Sequence, residues 1–157
     1  MQLYFLRHGI ADWPNWDPTR DHERPLTKEG IKKMKATAKM LKALDLKFDA
    51  ILASPYTRAW QTADIVANVL KLDVQAEPNL APGFDLDKAA QILRKHAAAK
   101  ALLLVGHEPT LSRVIAQLID GGHVVMKKGA LARVDIPDPD EAHGELVWLL
   151  PPKILTV

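Results

Sequence analysis

The feature that most constrains the fold is a regular alternation of two kinds of segment along the chain. Short apolar runs bounded by turn residues are typical of buried strands, and longer stretches with apolar residues every three or four positions are typical of amphipathic helices. The predicted strands are Leu3–Leu6, Ala50–Ala53, a brief stretch at Val74 and Leu102–Val105, and the predicted helices contain Ile31–Leu44, Ala59–Leu70, Leu86–Leu93 and Leu111–Leu118. This alternation favours a mainly parallel sheet covered by helices.

The pattern changes after Gly121 and Gly122. Two strand-like segments follow, Leu131–Ile136 and Glu145–Leu150, and a turn rich in Pro and Asp separates them. We therefore predict an α/β fold, a three-layer sandwich whose mainly parallel central sheet has helices on both faces and an antiparallel C-terminal strand pair. A length of 157 residues favours one domain spanning residues 1–157.

Composition excludes several classes of protein. The chain has no Cys, which removes disulfides, thiolate metal sites and cysteine nucleophiles and suits a reducing compartment, so we expect a cytoplasmic protein. Its longest apolar run, Ala101–Val105, is too short to span a bilayer, and a net charge of +2 gives no reason to expect nucleic-acid binding. We expect neither membrane nor nucleic acid as a partner.

One long segment, Ile10–Pro25, lacks any helical or strand pattern. It contains three Pro, two Trp and several acidic residues. A loop of that length in a small domain is usually functional or mobile. We predict a flap over the end of the first strand.

Arg and His residues follow three of the predicted strands. The first strand runs into Arg7-His8-Gly9, the second into Ser54-Pro55-Tyr56-Thr57-Arg58, and the fourth into Gly106-His107-Glu108-Pro109. Ligands of such sheets bind beyond the carboxyl ends of the parallel strands, so these side chains should meet at one edge. Ser54-Pro55 and Glu108-Pro109 also suggest helix starts, with Ser54 as a cap, which would aim helix N-termini at the same place.

This set of residues suits a phosphoryl group. Arginine forks and helix N-termini both favour oxyanions. A neutral imidazole can attack phosphorus and hold it as a phosphoramidate while neighbouring guanidinium groups stabilise the oxygens. Gly9 would let the backbone approach the phosphoryl group closely beside His8, so we include Gly9 among the predicted phosphate-binding residues.

Four segments resemble the signatures of the histidine phosphatase superfamily, and the similarity is greatest to its short SixA-type phosphohistidine phosphatases. They are Leu6–Gly9, Ser54–Ala63, Leu80–Gly83 and Val105–Pro109, and Arg24–Gly30 resembles the segment that precedes the first helix in the SixA-type branch. The resemblance covers about residues 2 to 150. It implies a phosphatase fold and a phosphatase that needs no metal or other cofactor and acts through a covalent phosphohistidine intermediate. The implied substrate is a phosphohistidine-containing protein, or a small phosphate ester, with phosphate, vanadate or sulfate as competing anions.

Carried over residue by residue, the resemblance makes His8 the nucleophile and makes Arg7, Arg58 and His107 the phosphate-binding partners. The proton donor stays open between Glu108, Glu77 and Asp12. A phosphohistidine substrate reduces the need for a donor, because imidazole is a better leaving group than an alkoxide.

Several alternatives stand beside this hypothesis. His8 and His107 could be structural core residues or metal ligands, although adjacent Arg would repel a cation. Small phosphomonoesters or sugar phosphates, including mutase action, form the second functional alternative, and a non-catalytic phosphate-binding regulatory module forms the third. We predict that the remaining histidines, His22, His96, His123 and His143, are surface residues, and that the Lys-rich first helix is a solvated face.

Overall fold

The computed structural model describes all 157 residues and has one six-stranded sheet at its centre. The strands are β1 (Gln2–Arg7), β2 (Ala50–Ala53), β3 (Val74–Ala76), β4 (Ala101–Gly106), β5 (Leu131–Asp135) and β6 (Glu145–Leu150). The helices are α1 (Lys28–Ala43), α2 (Thr57–Leu70), α3 (Leu86–Lys95), α4 (Thr110–Leu118) and the short α5 (Pro152–Leu155), with 3-10 helices at Pro18–Glu23 and Pro78–Leu80. None of the helices has the length and apolar character needed to cross a bilayer.

The strand order is β3-β2-β4-β1-β5-β6. Strands β1 to β4 pair in parallel, and β5 and β6 pair antiparallel beside β1. The predicted α/β class, with its antiparallel C-terminal pair, is therefore confirmed.

Alternate residues of β1 pack on opposite faces of the sheet, as the pleat of a strand requires. Leu3 and Phe5 belong to the core shared with α3 and α4, whereas Tyr4 and Leu6 belong to the core shared with α1 and α2. Burial of each such side chain contributes roughly 1.5–3 kcal/mol. These two cores fix helices on both faces and thereby hold the strand ends in place.

The predicted helix starts at Ser54-Pro55 and Glu108-Pro109 are displaced. Helix α2 begins only at Thr57, after Tyr56 and without a side-chain cap, and α4 begins at Thr110. The prediction that Ser54 caps α2 is wrong, because Tyr56 occupies the cap position. The Ser54 hydroxyl accepts from the amide of Tyr56, which precedes the helix, and also bonds His107. By contrast, the segment before α1 ends in a standard cap, in which Thr27 accepts from the amide of Gly30.

The register of the three central strands brings the chemistry together. Arg7 of β1 lies opposite Gly106 of β4, and Ala53 of β2 lies opposite Val105. The next residue of each strand, His8, His107 or Ser54, therefore emerges at the same edge of the sheet.

The flap Ile10–Pro25 is ordered around its 3-10 helix. Trp13 donates its indole N–H to the carbonyl of Pro25 at 2.8 Å, and Trp16 donates to the carbonyl of Arg20 at 3.0 Å. These bonds close the flap on itself beside the carboxyl edge of the sheet.

Candidate active site

His8 lies buried at the end of β1, with 6% of its surface exposed. Its Nδ1 is 2.7 Å from the carbonyl oxygen of Gly9, which can only accept, so Nδ1 carries the ring proton. Burial lowers the pKa of His8 to about 3, although the hydrogen bond to Gly9 acts to raise it, and the proximity of His107, Arg58 and Arg7 contributes to the lowering. The ring is therefore neutral at pH 7, with the lone pair on Nε2.

His107 faces His8, with the two ring centroids 5.3 Å apart. Its Nε2 lies 2.8 Å from Oγ of Ser54. Ser54 Oγ accepts from the amide of Tyr56 and keeps its own proton to donate to Nε2, an arrangement that would place the ring proton of His107 on Nδ1. That Nδ1 is buried without a hydrogen-bond partner. Burial, together with the charge of Arg58, lowers the pKa of His107 to about 3.

Arg58 is held in the first turn of α2, and only 5% of its surface is exposed. The end of its guanidinium is occupied by Asp21, since Nη1 donates to the Asp21 carbonyl at 2.8 Å and Nη2 to the Asp21 carboxylate at 3.0 Å. Its Nε lies 3.4 Å from Nε2 of His8. Thus the side edge of the guanidinium, formed by Nε and the second proton of Nη2, faces the reactive face of His8.

Arg7 occupies the last position of β1. Its Nη1 donates to the carbonyl of Met126 at 2.8 Å, while its Nε is buried without a partner. Burial lowers the pKa of Arg7, and the carboxylates of Glu108 and Asp12 partly offset that effect. The guanidinium remains a cation one residue from His8.

Gly9 has a structural reason to be glycine that the sequence did not reveal. A Cβ at this position would lie 2.7 Å from Cγ of Met34 on α1. The Gly9 amide donates to Oγ1 of Thr62 at 3.1 Å, so it is already engaged and offers no N–H to an anion. The structure thus does not support the predicted phosphate contact of Gly9, which instead allows α1 to pack closely and orients His8 through its carbonyl.

The three candidate proton donors are engaged elsewhere. Glu77 is buried, accepts from the amide of Asn79 and lies 3.4 Å from Nζ of Lys95. Glu108 accepts from the backbone and side chain of Ser112 at the start of α4. Asp12 pairs with Lys128. None of the three carboxylates is hydrogen-bonded to either histidine of the site.

Among the remaining histidines, His22, His123 and His143 are exposed as predicted, whereas His96 is half-buried. His22 lies at the edge of the site, 6.2 Å from the ring of Tyr56. No group of three or more His, Asp or Glu side chains is arranged to hold a metal ion.

Asp21 is the residue that sequence reasoning missed. Its carboxylate binds Arg58 through one oxygen and Nε of Arg24 through the other, at 3.0 Å each. Partial burial acts to raise the pKa of Asp21, but the Arg24 bond and the Arg58 charge outweigh it and the pKa lies below its usual value. The three-residue spacing of Asp21 and Arg24 was visible in the sequence, but nothing there connected Asp21 to Arg58.

Fold and site together define an α/β enzyme built for phosphoryl chemistry, because two neutral histidines and two arginines converge at the carboxyl edge of its parallel sheet. The family profile of the histidine phosphatase superfamily (branch 1) matches residues 3–82. The chain belongs to the histidine phosphatase superfamily and is a phosphatase of that superfamily.

Three similar proteins place the chain more closely. It is 40% identical to an uncharacterized protein of Picosynechococcus sp. over 137 residues, covering 83% of this chain and 82% of the relative. It is 29% identical to the phosphohistidine phosphatase SixA of Escherichia coli over 157 residues, covering 97% and 94% of the two chains. The structure of the protein histidine phosphatase SixA complexed with tungstate superposes with a TM-score of 0.87 at 28% identity and 99% coverage of both chains.

Proposed function

We propose that this protein hydrolyses phosphohistidine on a protein through a phosphoramidate formed on Nε2 of His8. The observation that carries the proposal is the state of that ring. Gly9 fixes the proton on Nδ1, burial keeps the ring neutral, and Nε2 lies 3.4 Å from a donor of Arg58. A phosphoryl oxygen that takes over this Arg58 donor would leave the Nε2 lone pair free to attack phosphorus, with the guanidinium beside the negative charge that develops.

The bound phosphoryl oxygens would be held by Arg58, Arg7 and His107. Arg58 offers the Nε and Nη2 edge beside His8, and the other two each carry a buried nitrogen without a partner, Nε of Arg7 and Nδ1 of His107. Unpaired buried polar nitrogens are rare in proteins, and a phosphoryl group would supply oxygen partners for these two. Tungstate, a tetrahedral oxyanion, binds the similar SixA, which supports this assignment.

The reaction balances without an added acid. Nε2 of His8 bonds to phosphorus as the phosphorus–nitrogen bond of the substrate breaks, and a substrate ring protonated on its other nitrogen leaves as neutral imidazole. Water then attacks phosphorus and the His8–phosphorus bond breaks, so that both water protons remain with the phosphate product, as dihydrogen phosphate. The Gly9 carbonyl keeps the proton on Nδ1, so His8 also leaves as a neutral ring.

A reaction that needs no added acid favours phosphohistidine over a phosphate ester as the substrate. An alkoxide leaving group needs an acid within hydrogen-bond reach. Glu77, Glu108 and Asp12 are each committed to other partners, as described above. The full-length similarity to the phosphohistidine phosphatase SixA supports the same substrate class.

A trapping experiment tests the covalent step. The protein is mixed with a carrier protein bearing radiolabelled phosphohistidine and quenched within milliseconds, and the label should be acid-labile, base-stable and located on His8. The matched control is His8→Asn, which keeps an amide donor for the Gly9 carbonyl but has no nucleophilic nitrogen and should trap no label. Label on another residue, or equal label in the variant, would refute the mechanism.

A substrate panel tests the substrate class. Specificity constants are compared between phosphohistidine carrier proteins and small phosphate esters, with wild type and Glu108→Gln side by side. We expect higher kcat/KM for phosphohistidine and little effect of the substitution on it. A small ester that exceeds every phosphohistidine protein and depends on Glu108 would establish the phosphomonoester alternative instead.

A further inference from the structure

A second basic site adjoins His8 on the side of β5. It is a cavity of about 410 Å³ between β1, the start of the flap, α1 and the loop before β5. Four cationic side chains and one carboxylate line it, namely Arg7, Lys33, Lys127, Lys128 and Asp12. Arg7 lines this cavity and is also a candidate phosphate ligand, so it is the residue that links the cavity to the phosphoryl site.

The loop that carries the two adjacent lysines is attached directly to the reactive strand end. The amide of Gly129 donates to the carbonyls of Arg7 and His8, at 3.1 and 3.2 Å. Gly129 has a φ of +80°, a conformation that favours glycine, and the next amide closes a turn on the carbonyl of Lys127 at 2.8 Å. The position of Lys127 and Lys128 relative to His8 is therefore fixed by backbone hydrogen bonds.

The charge of this cavity is only partly balanced. Lys128 pairs with Asp12, and Lys33 pairs with Glu29 on its own helix at 2.7 Å. Lys127 is exposed and has no ion pair, and Arg7 contacts no carboxylate within salt-bridge distance. An excess of positive charge in a concave site attracts anions.

We propose that this cavity binds a second anionic group of the substrate, a carboxylate or a phosphate, while the phosphoryl group lies at His8. The proposal rests on the phosphatase function given above and specifies its substrate as one with two anionic groups. In a phosphoprotein the second group would be an Asp or Glu side chain beside the phosphohistidine. In a small molecule it would be a second phosphate.

Two pairs of substrates test the cavity and separate the two sources. The first pair is a phosphohistidine peptide with flanking Asp residues and the same peptide with Asn. The second pair is a small bisphosphate ester and its monophosphate counterpart. For each pair, we compare the kcat/KM of the more anionic substrate with that of the less anionic one and express the comparison as a ratio. This ratio is measured for wild type, Lys127→Glu and Lys39→Glu. The Lys39→Glu variant is the matched control, because it makes the same charge change on the exposed face of α1.

We expect Lys127→Glu to lower this ratio about tenfold, mainly through KM, in the substrate pair whose second anionic group is the one that the cavity binds. The control Lys39→Glu should leave the ratio at the wild-type value. A change confined to the peptide pair identifies a carboxylate, and one confined to the ester pair identifies a phosphate. Equal effects of the two variants, or ratios near one in wild type for both pairs, would overturn the proposal. Failure of the proposed phosphohistidine function would be recognised separately, because neither peptide would then be hydrolysed. The kcat/KM ratio of the ester pair would still show whether the cavity binds a second anionic group.

Discussion

The buried neutral state of His8 predicts a specific loss of stability in mild acid. The folded protein holds this ring at a pKa of about 3, against 6.5 for an ordinary histidine. Below pH 6.5 the unfolded chain therefore takes up a proton that the folded chain excludes, so stability present above pH 6.5 is lost as the pH falls toward 3. At pH 5, about 1.5 pH units below the unfolded pKa, the loss is about 2 kcal/mol.

Urea unfolding of wild type and His8→Asn at pH 7.5 and pH 5 measures this loss. Asparagine keeps a donor for the Gly9 carbonyl and does not titrate, so the drop in unfolding free energy should be about 2 kcal/mol smaller in the variant. The buffer must be free of phosphate and sulfate, because an anion bound to the folded protein would mask the difference. The exposed His123→Asn controls for the loss of a histidine as such. Parallel pH dependence in wild type and His8→Asn would refute a buried neutral ring.

Further expectations concern the surroundings of His8. Arg58→Ala should lower kcat about a hundredfold and Arg58→Lys should recover little, because an ammonium group cannot reproduce the guanidinium edge; steady-state kinetics measure both. Asp21→Asn should lower kcat/KM about tenfold and weaken inhibition by inorganic phosphate, because the amide holds the Arg58 guanidinium less firmly; an unchanged inhibition constant would contradict this positioning role. Phosphate, vanadate or sulfate should raise the melting temperature of wild type and compete with substrate, and a thermal shift without competition would place the anion elsewhere. Gly9→Ala should destabilise the protein by about 1–3 kcal/mol in urea unfolding, and by less in a Met34→Ala background, because the new methyl group meets Met34.

The side chains at the strand ends were predictable because the geometry of a parallel sheet is local and general. A strand-helix alternation places the carboxyl ends of β1, β2 and β4 at one edge, whatever the details of packing. Such strands end at or just before Arg7, His8 and His107. The order of strands and helices along the chain was therefore enough to predict that these side chains meet. The antiparallel pair at the C-terminus could also be predicted, from two strand-like segments separated by a turn rich in Pro and Asp.

The partners of these side chains were decided only by the tertiary structure. Asp21 meets Arg58 across 37 residues, and Ser54 meets His107 across 53. The sequence predicted a helix cap for Ser54 and indicated only that Asp21 lies in the flap, because a cap depends on near neighbours alone. The packing of α2 and the flap against the sheet brings distant donors and acceptors within hydrogen-bonding distance. Burial at this edge also lowers the pKa of both histidines. Residue identity and order thus determined which groups reach the edge of the sheet, whereas the folded chain determined their protonation, their orientation and the acids kept away from them.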